Sequence, residues 1–137
     1  MAMRMLAVDF GEKRIGLATC DATGQVVAAR RTLTRGSDEK AVREIAQFCR
    51  EEEVEAVVVG IPRSPEGVES RFAGRIRSFG GKLSRALAVP VEYHEETLTS
   101  WEARLEEPFG TKEAIDRGAA AVLLADYLAA HRTRESR

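Results

Sequence analysis

Carboxylates stand at the ends of two strand-like segments of this chain. Asp9 ends the apolar run MLAV, and Glu95 and Glu96 come directly after the segment Val91–His94. In an open α/β sheet, ligands bind at the carboxyl ends of the strands. We therefore expect Asp9 and one or both glutamates to project from the same edge of a sheet. The residues leave two other interpretations open: Asp9 as the cap of the turn at Gly11, and the glutamates as solvated charges.

A third acid lies on a predicted helix. Asp116 shares one helix face with Ala120, Leu123 and Tyr127, because the four residues recur at helical intervals. The carboxylate extends an apolar stripe, where an unpaired charge is costly. It also lies more than a turn inside the predicted helix, beyond the reach of an ordinary N-terminal cap. The alternative is an exposed acid in the first turns of the helix.

Acids on three separate segments could meet at one edge of the sheet. Crowded carboxylates repel one another, and such a cluster is stable mainly when a hard divalent cation neutralises it. A ligand set made only of oxygen atoms favours Mg²⁺ or Mn²⁺. Two such ions, roughly 3.5–4 Å apart, can activate water and stabilise the leaving oxygen in phosphodiester hydrolysis. The acids therefore predict a centre for two Mg²⁺ or Mn²⁺ ions.

The elements that must position these acids follow from the hydrophobic pattern. Three meandering strands come first, followed by helix, strand, helix, strand and helix. The predicted strands are Arg4–Phe10, Ile15–Cys20, Val26–Leu33, Ala56–Gly60 and Val91–His94, and the predicted helices run from Ser37 to about Glu53, over Arg71–Leu87 and from about Lys112 to Arg132, with a loop over Ile61–Glu69. Strands that alternate with helices imply right-handed crossovers and a parallel part of the sheet. The expected fold class is α/β, with a mixed five-stranded sheet flanked by helices.

Length and composition set the class of protein. A chain of 137 residues forms one hydrophobic core, so residues 1–137 are predicted to be a single domain. The net charge of −1, from 21 basic and 22 acidic side chains, excludes a general polyanion binder but allows a local basic patch. No apolar run approaches the ~20 residues of a membrane helix, so no membrane partner is expected. Cys20 and Cys49 are predicted to be reduced core residues of a cytoplasmic protein.

Four segments of the chain resemble a known family. They are VDFGEKRIGLA at 8–18, VVVGIPRSPEG at 57–67, EETLTSWEA at 95–103 and AIDRGAAAVLLADYL at 114–128. Together they resemble the YqgF-type family of pre-16S rRNA nucleases, also described as Holliday-junction-resolvase-like proteins with an RNase H-like fold. The resemblance covers nearly the whole chain and implies the strand order 3-2-1-4-5. The acidic positions of the family match Asp9, Glu96 and Asp116, which are thereby predicted as catalytic and metal-binding residues.

The resemblance also implies an activity. It predicts a metal-dependent endonuclease that hydrolyses phosphodiester bonds and processes the 5′ end of pre-16S rRNA during ribosome biogenesis. The expected partner is nucleic acid, either structured RNA or branched DNA, and the chain is expected to act as a monomer or weak homodimer. Two alternatives stay open at this point: a Holliday-junction resolvase in DNA recombination or repair, and a non-catalytic nucleic-acid-binding domain.

Basic residues near the acids are candidates for phosphate contacts. Lys13, Arg14 and Arg63 belong to loops expected to rim the edge that carries the acids. A second basic stripe, for which simple solvation is the alternative, lies on the second helix and comprises Arg71, Arg75, Lys82 and Arg85. The predicted substrate-binding residues are Lys13, Arg14, Arg63, Arg71 and Thr99.

The chain departs from the family pattern in two places. Thr97 stands where the family commonly has an arginine, which removes one phosphate contact. The basic loop before the last helix is also short here, with only EEPFGTK. Both changes bear on the choice of substrate more than on the metal chemistry.

Overall fold

The computed structural model describes residues 3–11, 13–34, 36–63, 70–96 and 112–135, and for residues 112–117 and 132–135 it describes the backbone alone. The described residues form five strands and three helices. These are β1 (Met5–Phe10), β2 (Arg14–Cys20), β3 (Val27–Thr34), α1 (Asp38–Glu51), β4 (Ala56–Pro62), α2 (Arg71–Ala86), β5 (Val91–Glu96) and α3 (Lys112–Glu135). Every predicted strand and helix is present in the predicted order.

The strands form one mixed sheet in the order β3-β2-β1-β4-β5. β2 pairs antiparallel with both β1 and β3, whereas β4 pairs parallel with both β1 and β5. The predicted strand order and the predicted α/β class are therefore confirmed. The parallel strands β1, β4 and β5 end at the same edge of the sheet, which we call the carboxyl edge.

Two hydrophobic clusters cover the two faces of the sheet. Alternate residues of β1 such as Leu6 and Val8 pack with α1 and α2, whereas Met5 and Ala7 pack with α3. The β-branched run 57–59 on β4 is fully buried, as expected for a strand covered on both faces. Cys20 and Cys49 are buried, which agrees with their prediction as core residues. Within the described residues, no helix combines the length and apolar character needed to cross a bilayer.

Several element boundaries differ from the predicted ones. The predicted loop began at Ile61, but Ile61 and Pro62 continue β4 because they pair with Glu95 and Glu96, which extend β5. Pro62 is tolerated as the last residue of its strand, where a missing N–H donor matters least. α1 ends at Glu51 rather than at Glu53. The remaining shifts are of one to three residues: β1 begins at Met5, β2 begins at Arg14, β3 spans Val27–Thr34, α2 ends at Ala86 and α3 extends to Glu135.

Gly80 on α2 permits a close contact with the sheet. A Cβ atom at this position would lie 2.2 Å from the Tyr93 hydroxyl on β5, a separation that real atoms do not reach. The Tyr93 hydroxyl donates a hydrogen bond to the carbonyl of Arg77 on the same helix, at 3.3 Å. A glycine that weakens the helix by propensity thus allows α2 to pack against β5.

The edge strand β3 contains a β-bulge. The register with β2 passes from Leu17↔Arg31 to Ala18↔Ala29, so Arg30 is the extra residue. A bulge brings neighbouring side chains toward one face. Accordingly, the guanidinium groups of Arg30 and Arg31 both lie 5.5 Å from the centre of the Phe48 ring on α1.

Candidate metal centre

Asp9 lies at the carboxyl edge, on the α3 face of the sheet. It is the fifth residue of β1, opposite Gly16 of β2, and strand alternation places it on the same face as Ala7. Its side chain is half-buried, and its Oδ1 atom is shielded from solvent. The adjoining turn is closed by a backbone hydrogen bond from the Gly11 N–H to the Arg14 carbonyl, at 2.9 Å. A Cβ at position 11 would lie 2.6 Å from that carbonyl oxygen, which explains the glycine.

The two neighbouring glutamates of β5 have opposite environments. Glu96 ends the strand opposite Pro62 and is 4% exposed, with its Oε1 atom shielded from solvent. Glu95 points to the other face, is exposed, and pairs with Arg63 at an Nε–Oε2 distance of 3.2 Å. Of the two carboxylates, only that of Glu96 shares the edge and the face of Asp9.

Gly60 lies between these two acids on the sheet. Val8 of β1 pairs with Val59 of β4, so Asp9 lies beside Gly60. On its other side Gly60 pairs with His94 of β5, two residues before Glu96. A residue without a side chain therefore forms the floor between the strand that carries Asp9 and the strand that carries Glu96.

Helix α3 covers this face and begins toward the carboxyl edge. A side chain atom of Leu123 lies 3.0 Å from the Cβ position of Gly60, and Leu128 lies 4.0 Å from that of Gly24, at the opposite edge. The helix therefore runs from the carboxyl edge toward the other edge. Ala120 and Leu123 are fully buried and Tyr127 is nearly so, which confirms the apolar stripe predicted for them.

Asp116 belongs to the first part of α3. Its backbone is helical, and it precedes Leu123 by seven residues, or about 10 Å along the axis. Its side chain lies outside the described residues. The helix thus brings the backbone of residue 116 toward the edge that carries Asp9 and Glu96.

The described donor atoms fit a hard divalent cation. Asp9 and Glu96 supply only carboxylate oxygens, one of each is shielded from solvent, and such ligands suit Mg²⁺ or Mn²⁺. Among the side chains that the structure describes, no three His, Cys, Asp or Glu groups are close enough to hold a metal ion. Asp116, the third predicted ligand, is not among those side chains, so its role stays a prediction.

A cluster beside the acids has no counterpart in the sequence predictions. The Tyr127 hydroxyl donates a hydrogen bond to the Glu92 carboxylate, and the His94 ring meets the Tyr127 ring edge-on at 5.8 Å. The His131 ring stacks on the Tyr127 ring, with ring centres 3.9 Å apart. Burial lowers the pKa of His94, which favours the neutral form of this ring. The alternation of Glu92, His94 and Glu96 on one face of β5 is the signal from which the cluster could have been found.

Four of the five predicted substrate-binding residues lie around the carboxyl edge. Lys13 and Arg14 are in the turn after β1 and at the start of β2, and Arg63 directly follows β4. Arg71 opens α2, whose next residue, Phe72, packs against Phe10 at the end of β1 with ring centres 6.4 Å apart. Thr97, Thr99 and residues 106–111 of the EEPFGTK segment lie outside the described residues.

Two of the basic residues on α2 form ion pairs with an acid on α1. Arg75 and Lys82 both form ion pairs with Asp38, the first residue of α1. Asp38, predicted only as a favourable charge at the helix start, is buried. The stripe is therefore not simply solvated, because Arg75 and Lys82 pair with Asp38 while their side chains stay 40% and 36% exposed. Their charges are directed toward Asp38.

The fold defines a class of protein. It is similar to the structure of RuvC from Thermus thermophilus in complex with a Holliday junction, with a TM-score of 0.59 and 13% identity over 95% of this chain and 96% of that one. It is also similar to the fowlpox virus Holliday junction resolvase, with a TM-score of 0.53 and 14% identity over 93% of this chain and 99% of that one. At such identities the likeness concerns the fold, which is RNase H-like.

The sequence identifies the family within that class. The family model described as RuvX, Holliday junction resolvase, matches residues 3–130, and the chain belongs to this nuclease family. A relative from Rippkaea orientalis, named "Putative pre-16S rRNA nuclease", is 38% identical over 93% of this chain and 96% of its own length. A relative of the same name from Chloroflexus aurantiacus is 37% identical over 97% of this chain and 91% of its own length. The predicted family is thus confirmed.

Proposed function

We propose that this protein is a metal-dependent endonuclease that cleaves structured RNA and processes the 5′ end of pre-16S rRNA. One observation carries the proposal: Asp9 and Glu96 share an edge and a face of the sheet, and each has a carboxylate oxygen shielded from solvent. The names of the relatives from Rippkaea orientalis and Chloroflexus aurantiacus support rRNA as the substrate. Such a substrate implies a cytoplasmic site of action.

Each acid has a defined task in this proposal. Asp9, Glu96 and Asp116 would bind one or two Mg²⁺ or Mn²⁺ ions. When bound, the metal supplies a water made nucleophilic and charge that stabilises the leaving oxygen of the phosphodiester. The described residues Asp9 and Glu96 orient their carboxylates from two rigid strands, and burial on the α3 face strengthens their attraction for a cation.

Substrate binding falls to the basic residues around the edge. Lys13, Arg14, Arg63 and Arg71 would contact backbone phosphates and position the scissile bond, with Thr99 as a further contact. Phosphate contacts of this kind bind without reading sequence. The choice of cleavage site would then depend on the shape of the folded RNA.

A matched pair of variants tests the proposal. Glu96→Gln and Glu95→Gln make the same chemical change at neighbouring positions of β5, one facing the centre and one facing solvent. We expect the wild type to cut a pre-16S rRNA 5′-leader fragment with Mn²⁺ but not with EDTA. Glu96→Gln should lower the cleavage rate by more than about 100-fold, the upper range for loss of a residue that only supports a metal ligand. Glu95→Gln should retain cleavage. Equal activity of the two variants would contradict the proposal.

A Holliday-junction resolvase is the second candidate. The similarity in fold to a RuvC in complex with a junction favours it. A four-way DNA junction tested beside the RNA distinguishes the two, because metal-dependent cleavage of the junction alone would replace the first proposal with the second. A wild type that binds both nucleic acids and cuts neither would indicate a non-catalytic binding domain.

A further inference from the structure

The absence of a side chain at residue 60 allows α3 to lie close to the sheet beside Asp9 and Glu96. A Cβ atom built on Gly60 would lie 3.0 and 3.2 Å from the two terminal methyl groups of Leu123. The same atom would be 3.5 Å from Oε2 of Glu96, an ordinary contact. The steric conflict is therefore with Leu123 of the helix, whereas Glu96 would make an ordinary van der Waals contact.

The helix has little freedom to accept such an atom. Leu123 is fully buried, and its neighbours in the cluster on this face, Val58 and Leu124, are fully buried as well. Protein interiors are close-packed, so an added methyl group is accommodated by moving an element rather than by filling a void. At residue 60 the movable element is α3, which would rise from the sheet by a few tenths of an ångström.

That displacement would reach the proposed metal centre. Asp116 is on α3, two turns before Leu123, whereas Asp9 and Glu96 are on the sheet. The contact between Gly60 and Leu123 is the described point at which the helix meets the floor between the two sheet acids. The height of the helix at this point sets the separation between the helix ligand and the sheet ligands.

We propose that Gly60 is a positioning residue: its missing side chain sets the distance between Asp116 on α3 and the pair Asp9 and Glu96 on the sheet. The inference rests on the proposed function, since it concerns the same centre. Metal sites of this kind require their ligands within narrow limits, and outer-shell changes typically reduce metal affinity 10- to 100-fold.

The test measures Mn²⁺ affinity by calorimetry on the full chain, together with the melting temperature in metal-free buffer. Gly60→Ala should weaken Mn²⁺ binding by about tenfold. Gly74→Ala is the matched control, because a Cβ at residue 74 on α2 meets no described atom within 4 Å beyond its own stretch of helix. It should leave Mn²⁺ affinity at the wild-type value.

A compensating change makes the test specific. Leu123→Val removes both methyl groups that a Cβ at residue 60 would strike, and the double variant Gly60→Ala/Leu123→Val conserves the total volume. We expect the double variant to regain most of the lost Mn²⁺ affinity. If Gly60→Ala alone does not fold, the double variant carries the test, and a tenfold loss in it would overturn the proposal.

The outcomes separate this inference from the proposed function. A wild type that binds Mn²⁺ while Gly60→Ala binds it equally well overturns the positioning role alone. A lower melting temperature in Gly60→Ala with unchanged Mn²⁺ affinity does the same, because it would show a purely structural role. A wild type that binds no Mn²⁺ overturns the proposed function and this inference with it.

Discussion

Asp38 at the start of α1 accepts two hydrogen bonds from the guanidinium of Arg75 on α2, with Nη1–Oδ2 and Nη2–Oδ1 distances of 2.9 and 2.8 Å. Lys82, two turns further along α2, donates a third at 3.0 Å. The Arg75 guanidinium also lies 5.4 Å from the centre of the Phe10 ring, next to Asp9. This cluster therefore fixes both helices against the end of the strand that carries Asp9.

The cluster predicts a dependence of stability on pH. Its hydrogen bonds, chiefly that from Arg75, lower the pKa of Asp38 from 3.8 to about 2. Because the pKa is lower in the folded state, the stabilisation is complete well above pH 4 and is lost as the pH falls toward 2. Asp38→Asn should cost about 2 kcal/mol of unfolding free energy at pH 7. Urea unfolding at pH 7, 4 and 2.5 measures it.

The neighbouring residue serves as the control for this prediction. Glu39 on α1 also pairs with Lys82, at 3.5 Å, but its side chain is largely exposed. An exposed ion pair contributes little, so Glu39→Gln should change stability little at any pH. The difference between wild type and Asp38→Asn should shrink toward pH 2. A difference that stays constant across the range would assign the stabilisation to packing instead of charge.

Replacing Asp9 tests the metal centre without a substrate. Asp9→Asn keeps the shape of the side chain and removes its charge. In metal-free buffer the melting temperature should hold or rise, because repulsion among crowded carboxylates is relieved. Added Mn²⁺ should stabilise the wild type more than the variant, since a ligand stabilises the state that binds it. Cleavage should collapse while nucleic-acid binding largely survives.

Asp21 offers the comparison with a true turn-capping aspartate. Its Oδ1 atom accepts hydrogen bonds from the Thr23 hydroxyl at 2.7 Å and from the backbone N–H groups of Gln25 and Val26. Asp21→Asn should lower the metal-free melting temperature and keep the Mn²⁺ response. If Asp9→Asn also melts at a lower temperature without metal and keeps the Mn²⁺ response, Asp9 is a turn cap and the proposal of a metal centre is wrong.

Because Arg63 and Glu95 form an ion pair, replacing one or the other should have opposite effects on nucleic-acid binding. Both side chains are exposed, so a phosphate bound at Arg63, as proposed, would compete with Glu95 for its guanidinium. Arg63→Ala should weaken binding and reduce the slope of log affinity against log salt by about 1. Glu95→Gln should strengthen binding, because it removes a competing negative charge. Fluorescence anisotropy at several salt concentrations provides the measurement.

A double variant extends the same experiment. Arg14→Ala combined with Arg63→Ala should flatten the salt dependence by about 2 if both contact phosphates. An unchanged slope would exclude Arg14 and Arg63 as phosphate contacts, and Arg71 at the start of α2 would then be the next candidate.

Glu53 predicts a stabilising substitution away from the site. It follows the C-cap of α1 with φ of 55°, in the left-handed region that glycine adopts without strain. Glu53→Gly should raise the unfolding free energy by about 1 kcal/mol, after the loss of a weak surface pair with Arg4. The same change two residues on, Glu55→Gly, lacks the backbone strain and should not stabilise. Thermal unfolding of both variants checks this.

Hydrophobic patterning predicted the sheet because the inner strands β1 and β4 are buried in a regular pattern. The run 56–60 is buried on both faces, and β1 alternates between the α1/α2 face and the α3 face. Strand ends were harder. The predicted loop began before Pro62, yet β4 extends through Ile61 and ends at Pro62, which pairs with Glu96. That extension is what brings Glu96 into the sheet.

Contacts between distant segments were beyond the reach of the sequence pattern. The sequence around Asp38 is equally consistent with an exposed charge at a helix start. Its burial depends on Arg75 and Lys82, which are 37 and 44 residues away. The Tyr127 hydroxyl bonded to Glu92 is a similar case, because the apolar stripe of α3 predicts burial but no polar partner. Periodicity reports which face is buried and leaves open what each polar atom meets there.

The bulge at Arg30 bears on how separate molecules of this protein meet at high concentration. An exposed edge strand can recruit a strand from another molecule and start aggregation. In β3 the extra residue interrupts the regular hydrogen-bonding repeat, and two adjacent arginines occupy the middle of the strand. Antiparallel pairing of two such edges would bring like charges face to face. The same irregularity that directs Arg30 and Arg31 onto Phe48 therefore guards this edge against fibre-like association.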